Sequence, residues 1–407
     1  MNERAMVVVG AGQGGLQMAE SLRAEGWTGP IRLFGDEPTP PYNRPPLSKA
    51  ALSGESGPEH LVIRGADFFA KKGIDLATGT RVAAIDRAAK EVVLADGSRV
   101  AYEGLALATG SRARTLPLPG ADLDGVVTLR TLADALDLKA RLATARAVAV
   151  VGGGFIGLEV AASARKAGVA VTLIEALPRL MARAVSETIS SWYADLHARH
   201  GVRVLVGTGV TGFAGEGGRV TAVETSAGPI AADVVVVGVG VIPDDDLARA
   251  CGLACDRGVI VDDCSRTSDP AIVALGDCAT RRLADGSLRR LESVQNAVEQ
   301  AKSGAAWLMG KERPFTAAPW FWSDQYDIKL QMAGLSAGQD RAVLRGSLEE
   351  EKFSLFYWRE GRFVACDSIN RPQDHMAARK ILDKGASPTP DEITDPAFDL
   401  AAFVRAL

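Results

Sequence analysis

Two glycine clusters offer the first chemistry in this 407-residue chain: Gly10-Ala11-Gly12-Gln13-Gly14-Gly15 and Gly152-Gly153-Gly154-Phe155-Ile156-Gly157. Each follows a β-branched run, Val7 to Val9 or Val148 to Val151, and opens into a segment of helical composition. In such a strand–turn–helix setting the first glycine (Gly10, Gly152) permits a tight turn. The second (Gly12, Gly154) lets backbone approach a pyrophosphate, and the third (Gly15, Gly157) lets helix and strand pack closely. An acid follows each cluster, Asp36 21 residues beyond Gly15 and Glu175 18 beyond Gly157, close to the spacing of roughly 20 that places a carboxylate on a ribose. Glu175 also repels a 2′-phosphate, which favours NADH over NADPH. Arg179 and Arg183 lie close enough in sequence to offer that phosphate an alternative partner. Two dinucleotide sites in one chain imply electron transfer between two cofactors.

Elements must position these residues, and the bulk numbers allow them. At 47% hydrophobic residues and 24% charged, the chain has material for two to four cored domains. A net charge of −4 gives no global reason to bind nucleic acid or an anionic membrane. Met1 to Met6 leads into a strand without an apolar signal run, and the longest apolar stretch, Val234 to Ile242, is too short and glycine-broken to span a bilayer. A cytoplasmic protein is expected. The five cysteines (251, 255, 264, 278, 366) contain no C-x-x-C pair, so reduced and mostly buried thiols are expected, with no disulfide framework and no metal site. His197 and His200, three apart, read as a solvated helix face.

Along the chain, residues 1–112 read as a first nucleotide domain: strand, glycine turn, helix Leu16 to Glu25, strand Ile31 to Phe34. Glu91 to Leu94 and the apolar run from Leu105 to Gly110 follow. Thr131 to Leu142 reads as a helical bridge. Residues 113–242 repeat the plan, with strand Val148 to Val151, helix Leu158 to Lys166, strand Val171 to Ile174 and closing strand Val234 to Val237. Residues 243–318, with the buried run Ile272 to Leu275, Gly276-Asp277 and a helix from Val294 to Met309, are expected to complete the first domain. From 319 to 407 the character changes, and Phe353 to Tyr357 and Phe363 to Ala365 flank a Glu360-Gly361 turn. That is a hairpin, hence an antiparallel sheet.

These motifs together carry a resemblance. With Arg44-Pro-Pro-Leu-Ser-Lys49, Ala108-Thr109-Gly110, Gly152 to Glu159, Thr267-Ser-Asp-Pro270 with Gly276-Asp277, and Trp320-Phe-Trp-Ser-Asp-Gln325, the whole chain resembles the NADH-dependent, FAD-containing ferredoxin reductases that serve cytochrome P450 and other oxygenases, of the putidaredoxin reductase type. The resemblance implies an α/β fold of glutathione-reductase-like architecture: two Rossmann-like domains plus an α+β C-terminal domain. It implies that FAD is held by Gly10, Gly12, Gly14, Gly15, Asp36, Lys49, Val82, Ala108, Thr109, Gly110, Arg130, Asp277, Val294 and Trp322. NADH is held by Gly152, Gly154, Ile156, Gly157, Glu159, Glu175 and Gly240, with Lys49 and Glu159 closest to the reacting rings. Taken by itself, Lys49 is as well read as a surface lysine opening a helix after Pro45-Pro46.

Disulfide reductases of this architecture carry redox thiols in the region that here reads Tyr42 to Lys49, which has none. Electrons are therefore expected to leave for a separate acceptor, an acidic [2Fe–2S] ferredoxin met by Arg64, Arg289, Arg290 and Lys302. Two other readings remain open here. One is an NADH oxidase or rubredoxin reductase, and the other an apoptosis-inducing-factor-like protein whose NADH binding switches an interaction surface.

Overall fold

The computed structural model describes residues 4–407, so Met1 to Glu3, where the reading of a missing signal run begins, lie outside the described residues. The chain forms two compact units. One takes residues up to Asn43, Glu59–Arg112 and Val241–Ala317, the other Arg44–Pro58, Ala113–Gly240 and Ala318–Leu407.

In the first unit five strands run parallel in the order Ile74–Ala77, Ile31–Phe34, Ala5–Val9, Arg99–Leu107, Ile272–Ala274. Strands buried on both faces need apolar residues at every position. Val7, Val9, Leu105, Leu107 and Ile272 fill one core, and Met6, Val8, Leu33, Ala106 and Val273 fill the core on the opposite face. The strand Arg99–Leu107 serves two ladders. Its start pairs antiparallel with Glu91–Leu94, which pairs with Val82–Asp86, while its end lies parallel between Ala5–Val9 and Ile272–Ala274. The distant Ile272–Ala274 segment thus returns to the first sheet.

The second unit repeats the plan: parallel strands ordered Val202–Leu205, Ala170–Ile174, Ala147–Val151, Val234–Val237, Val126–Val127, with a meander of Val210–Glu216, Arg219–Thr225 and Ile230–Ala231. The helix Leu132–Leu142 starts at a capping box, where the Thr131 hydroxyl accepts from the Asp134 N–H and the Asp134 carboxylate accepts from the Thr131 N–H. Its C-terminal part is a five-stranded antiparallel sheet, ordered Trp320–Gln325, Ile328–Gly334, Arg362–Ile369, Lys352–Arg359, Arg341–Ser347. The helix Pro372–Asp383 covers it, with Phe356, Trp358, Cys366, Ala378 and Ile381 buried between them.

Both fingerprint helices begin earlier than their composition suggests, at Gln13 and Phe155 rather than Leu16 and Leu158. Glycine weakens a helix by about 1 kcal/mol, so Gly14-Gly15 and Gly157 read as turn. Tertiary packing overrides that preference.

Candidate functional site

The two fingerprints have matching geometry. Gly10 and Gly152 sit at φ 107° and 111°, and a β-carbon there would stand 2.2 Å from the Ala108 carbonyl oxygen and 2.4 Å from that of Gly238. A β-carbon on Gly15 would meet the Gly10 carbonyl at 1.8 Å, and one on Gly157 that of Gly152 at 2.1 Å. Gly12 and Gly154 are the opposite case: apart from the adjoining backbone, no heavy atom of the described residues lies within 4 Å of the β-carbon position. Each is also the N-cap of its helix, and neither helix has a side-chain cap. First-turn N–H groups with open space before them and no capping oxygen fit the phosphates of a dinucleotide. Gly14 differs, because a β-carbon there would lie 2.6 Å from Leu275 Cδ1 and 3.5 Å from Ala297 Cβ, so its small size serves helix packing.

Ala108-Thr109-Gly110 and Gly238-Val239-Gly240 occupy equivalent places beside the two turns. The Ala108 N–H donates to Val9 and the Gly238 N–H to Val151, both at 2.8 Å, and Gly110 and Gly240 both have positive φ. The Thr109 hydroxyl donates to the Asp244 carbonyl at 2.5 Å. Asp36 is exposed just past the strand Ile31–Phe34. Burial raises the nearby Asp244 carboxyl above the usual range, and the charges of Asp246 and then Asp36 add to the shift. Glu175 accepts from the Gly153 N–H and the Leu177 N–H, each at 2.7 Å, bracing the glycine turn. An ionised carboxylate has about four acceptor sites, so capacity remains for a ribose. Arg179 is committed elsewhere, donating to the carbonyls of Val185 and Ala182, while Arg183 is exposed.

Asp277 lies in a 3₁₀ turn and accepts from the Ser111 hydroxyl at 2.9 Å. Val82 opens its strand, Val294 opens the helix capped by Ser293, and Arg130 accepts from Arg44 at its carbonyl. Ile156 is half exposed next to Gly157, and Trp322 sits 5.5 Å from Trp320, ring to ring.

Lys49 is no surface lysine. Its side chain is 17% exposed and its Nζ stands 3.1 Å from Glu159 Oε1 and 3.6 Å from Asp324 Oδ2. Glu159, buried in helix Phe155–Lys166, also accepts from the hydroxyls of Ser48 at 2.5 Å and Ser323 at 2.6 Å. Burial, the largest effect, leaves its carboxyl above the usual carboxylate range, and Lys49, Ser323 and Ser48 pull it part of the way back. Opposite charge and donors at both oxygens hold the carboxylate in a place where an unpaired ion would neutralise itself.

Comparison with known proteins places the chain in a family. Residues 4–301 match the family model described as pyridine nucleotide-disulphide oxidoreductase, and residues 320–404 match the reductase C-terminal model. The chain belongs to the pyridine nucleotide-disulphide oxidoreductase family. It is 47% identical to rhodocoxin reductase of Rhodococcus erythropolis over 97% of this chain and 93% of that one. It superposes with a TM-score of 0.96 on the ferredoxin reductase for the CYP199A2 system from Rhodopseudomonas palustris, at 45% identity, covering 99% and 100% of the two chains. It also matches the covalent putidaredoxin reductase–putidaredoxin complex, with a TM-score of 0.95 and 42% identity over 99% of each chain. Its cofactors are FAD and NAD(P)H.

This oxidoreductase lacks the thiols of its family's name: its first cysteine is Cys251. Cys264, Cys278 and Cys366 are buried, Cys251 and Cys255 partly so, and all five are unpaired. Of the four basic residues expected to meet a partner, Arg64 pairs with Glu20, Arg290 with Glu292 and Lys302 with Glu299, which dilutes their field. Arg289 is exposed.

The reading of His197 and His200 as one solvated face is corrected. His200 is exposed, but His197 is fully buried, with Nε2 2.8 Å from Gln325 Oε1. The sequence motifs include Ser48, Ser323 and Gln325 without giving them a role, and Ser163 and Tyr326 lie outside them. A signal was present: Phe155, Glu159 and Ser163 are four apart on one helix face, and Phe321, Ser323 and Gln325 alternate on one strand face. In space the two rows meet, the Phe155 ring tilted 44° against that of Phe321 with centroids 4.8 Å apart and Glu159 accepting from Ser323, while Ser163 donates to the Ser48 carbonyl at 2.7 Å.

Proposed function

We propose that this protein is an FAD-containing NADH:ferredoxin reductase that passes single electrons to a [2Fe–2S] ferredoxin serving a cytochrome P450 or another oxygenase. The observation that carries the reading is the pair of matching phosphate cradles in a chain with no thiol between Tyr42 and Lys49 to receive electrons internally. The relatives' names, rhodocoxin reductase and the putidaredoxin complex among them, support a small redox protein as acceptor.

Bound FAD supplies the ability to take two electrons as hydride from a nicotinamide and release them one at a time. The chain supplies positioning and electrostatics. Gly12 and the helix start behind it would hold the phosphates of FAD, with Asp36 and Asp277 beside it, and Gly154, Ile156 and Glu175 would hold NADH. Lys49 and Glu159 form the polar group at the hydride-transfer step: the lysine opposes developing negative charge, and the carboxylate keeps the lysine in place. Hydride transfer then depends on orientation and exclusion of water more than on a proton donor. The division into an FAD domain (1–112 with 243–318), an NADH domain (113–242) and a C-terminal domain (319–407) belongs to this proposal, as does a cytoplasmic location, which suits five unpaired thiols. No helix among the described residues is long and apolar enough to cross a membrane.

The test is ferredoxin-dependent cytochrome c reduction by the purified protein with NADH, against a panel of [2Fe–2S] ferredoxins. Activity that needs both FAD and a ferredoxin is expected. Rapid oxygen consumption with no ferredoxin effect would instead identify an NADH oxidase.

A further inference from the structure

Behind Glu159 the buried polar groups continue in a single file. Ser323 Oγ stands 2.6 Å from Glu159 Oε1, Gln325 Nε2 3.2 Å from Ser323 Oγ, His197 Nε2 2.8 Å from Gln325 Oε1, and Tyr326 Oη 3.3 Å from His197 Nδ1. Ser323, Gln325 and His197 are each at most 1% exposed. Tyr326 occupies a left-handed backbone conformation (φ 58°) in the turn between two strands, which few non-glycine residues adopt, and its ring stacks on His200 at 3.7 Å. A file this buried costs stability unless every member is satisfied.

We propose that Tyr326, His197, Gln325 and Ser323 form a one-directional hydrogen-bond chain that positions the Glu159 carboxylate against Lys49, making His197 and Gln325 positioning residues for hydride transfer. The inference rests on the reading of Glu159 given under Proposed function. Its direction follows from proton counting. An ionised carboxylate only accepts, so the single Ser323 proton points to Glu159. Gln325 must then turn its amide N–H toward Ser323 and its carbonyl toward His197. The His197 proton therefore sits on Nε2, leaving Nδ1 to accept from the Tyr326 hydroxyl. Protonating Glu159 would allow every donor to reverse, with the Gln325 amide flipped and the His197 proton moved to Nδ1. The chain thus has two discrete states, and the charge on Glu159 selects between them. Glu159 is faced by Lys49, Asp324 and the buried Tyr193 hydroxyl, and His197 by His200 and Tyr326. Burial lowers the His197 pKa to about 4, so the ring stays neutral and can serve as a directional link.

The test has two arms on the FAD-loaded protein. In ¹⁵N-histidine-labelled protein, which has four histidines, the resonance lost in His197→Gln should belong to a neutral ring protonated at Nε2. A ring protonated at Nδ1, or a mixture, overturns the proposal without need of any further variant. In rapid-mixing reduction by NADH, Gln325→Leu and Ser323→Ala should slow flavin reduction about tenfold with little change in NADH affinity. The pH below which reduction slows as Glu159 gains a proton should rise in both, because Ser323→Ala removes a donor to ionised Glu159 and Gln325→Leu removes the N–H that fixes the direction of that donor. Gln325→Glu separates positioning from mere packing through its pH dependence: it still accepts from His197 and should keep the Nε2 tautomer, while its carboxyl can donate to Ser323 only when protonated, so it should be as slow as Gln325→Leu at high pH and recover as pH falls. Wild-type rates and pH profiles in the Gln325 and Ser323 variants, beside a slow Glu159→Gln, would refute the chain alone. An unslowed Glu159→Gln would refute the assignment of Glu159 itself.

Discussion

Glu159 illustrates how a charge is kept in a protein interior. Removing it from water is costly, and the cost is offset by Lys49 at one oxygen and serine hydroxyls at both. Glu159→Gln keeps the shape and removes the charge, leaving Lys49 without its nearest counterion. Flavin reduction by NADH is expected to slow by about ten- to a hundredfold, measured by rapid mixing under argon. Glu175 carries a different prediction. Because it braces the Gly153 and Leu177 N–H groups, Glu175→Ala should weaken both nicotinamide nucleotides. The loss of negative charge should in addition narrow the NADH:NADPH ratio of kcat/KM by about tenfold. The ratio reads the charge, and an unchanged ratio would remove Glu175 from the specificity argument.

At the scale of elements, the glycine turns separate folding from binding. Gly10→Ala puts a β-carbon into the Ala108 carbonyl at a positive φ. It should destabilise the protein by about 3 kcal/mol or more, seen as a lower Tm. Gly12→Ala has open space on the protein side, so the fold should persist while FAD retention falls, measured as the flavin-to-protein ratio after gel filtration. The helix Glu187–Arg199 carries a pH prediction through His197, whose pKa falls from 6.5 to about 4 on burial. Between those values the unfolded chain binds the proton and the folded chain does not. Stability is therefore lost as pH falls through that window, at up to about 1.4 kcal/mol per pH unit. Asp367, raised to about 7 by burial, opposes this slope, so the comparison is with His197→Gln: the wild type should lose ground to the variant below about pH 6.5 and hold a constant difference above it.

For the whole molecule, the net charge of −4 makes attraction of an acidic ferredoxin a local matter. Arg290 is a poor probe, since it pairs with Glu292 at 2.6 Å and donates to the Asp277 carbonyl at 3.4 Å, so altering it would disturb the Gly276–Cys278 turn as well. Arg289→Glu is cleaner. It should raise KM for an acidic ferredoxin severalfold at low salt, with the difference shrinking as salt screens it and NADH-dependent flavin reduction unchanged.

Much of this was legible in the sequence because it is local. The Val7–Val9 and Val148–Val151 strands, the glycine turns and the acids beyond them are set by steric need and short-range spacing, and the structure has each strand and turn where the pattern put it. The strand Ile272–Ala274 and the Phe353 hairpin were readable for the same reason, as short apolar runs bounded by turn residues, whereas the return of Ile272–Ala274 to the first sheet was expected only from the rules of parallel crossover connections. The environment of Lys49 was not. A lysine after two prolines has no local property that says it will be buried, and a histidine three residues from another looks solvated whichever way its helix faces. Only tertiary packing lays the Glu159 face of one helix against alternate residues of the strand Trp320–Gln325, about 160 residues away, and against the His197 face of another. Burial then gives those ordinary polar side chains their fixed partners and shifted affinities for protons.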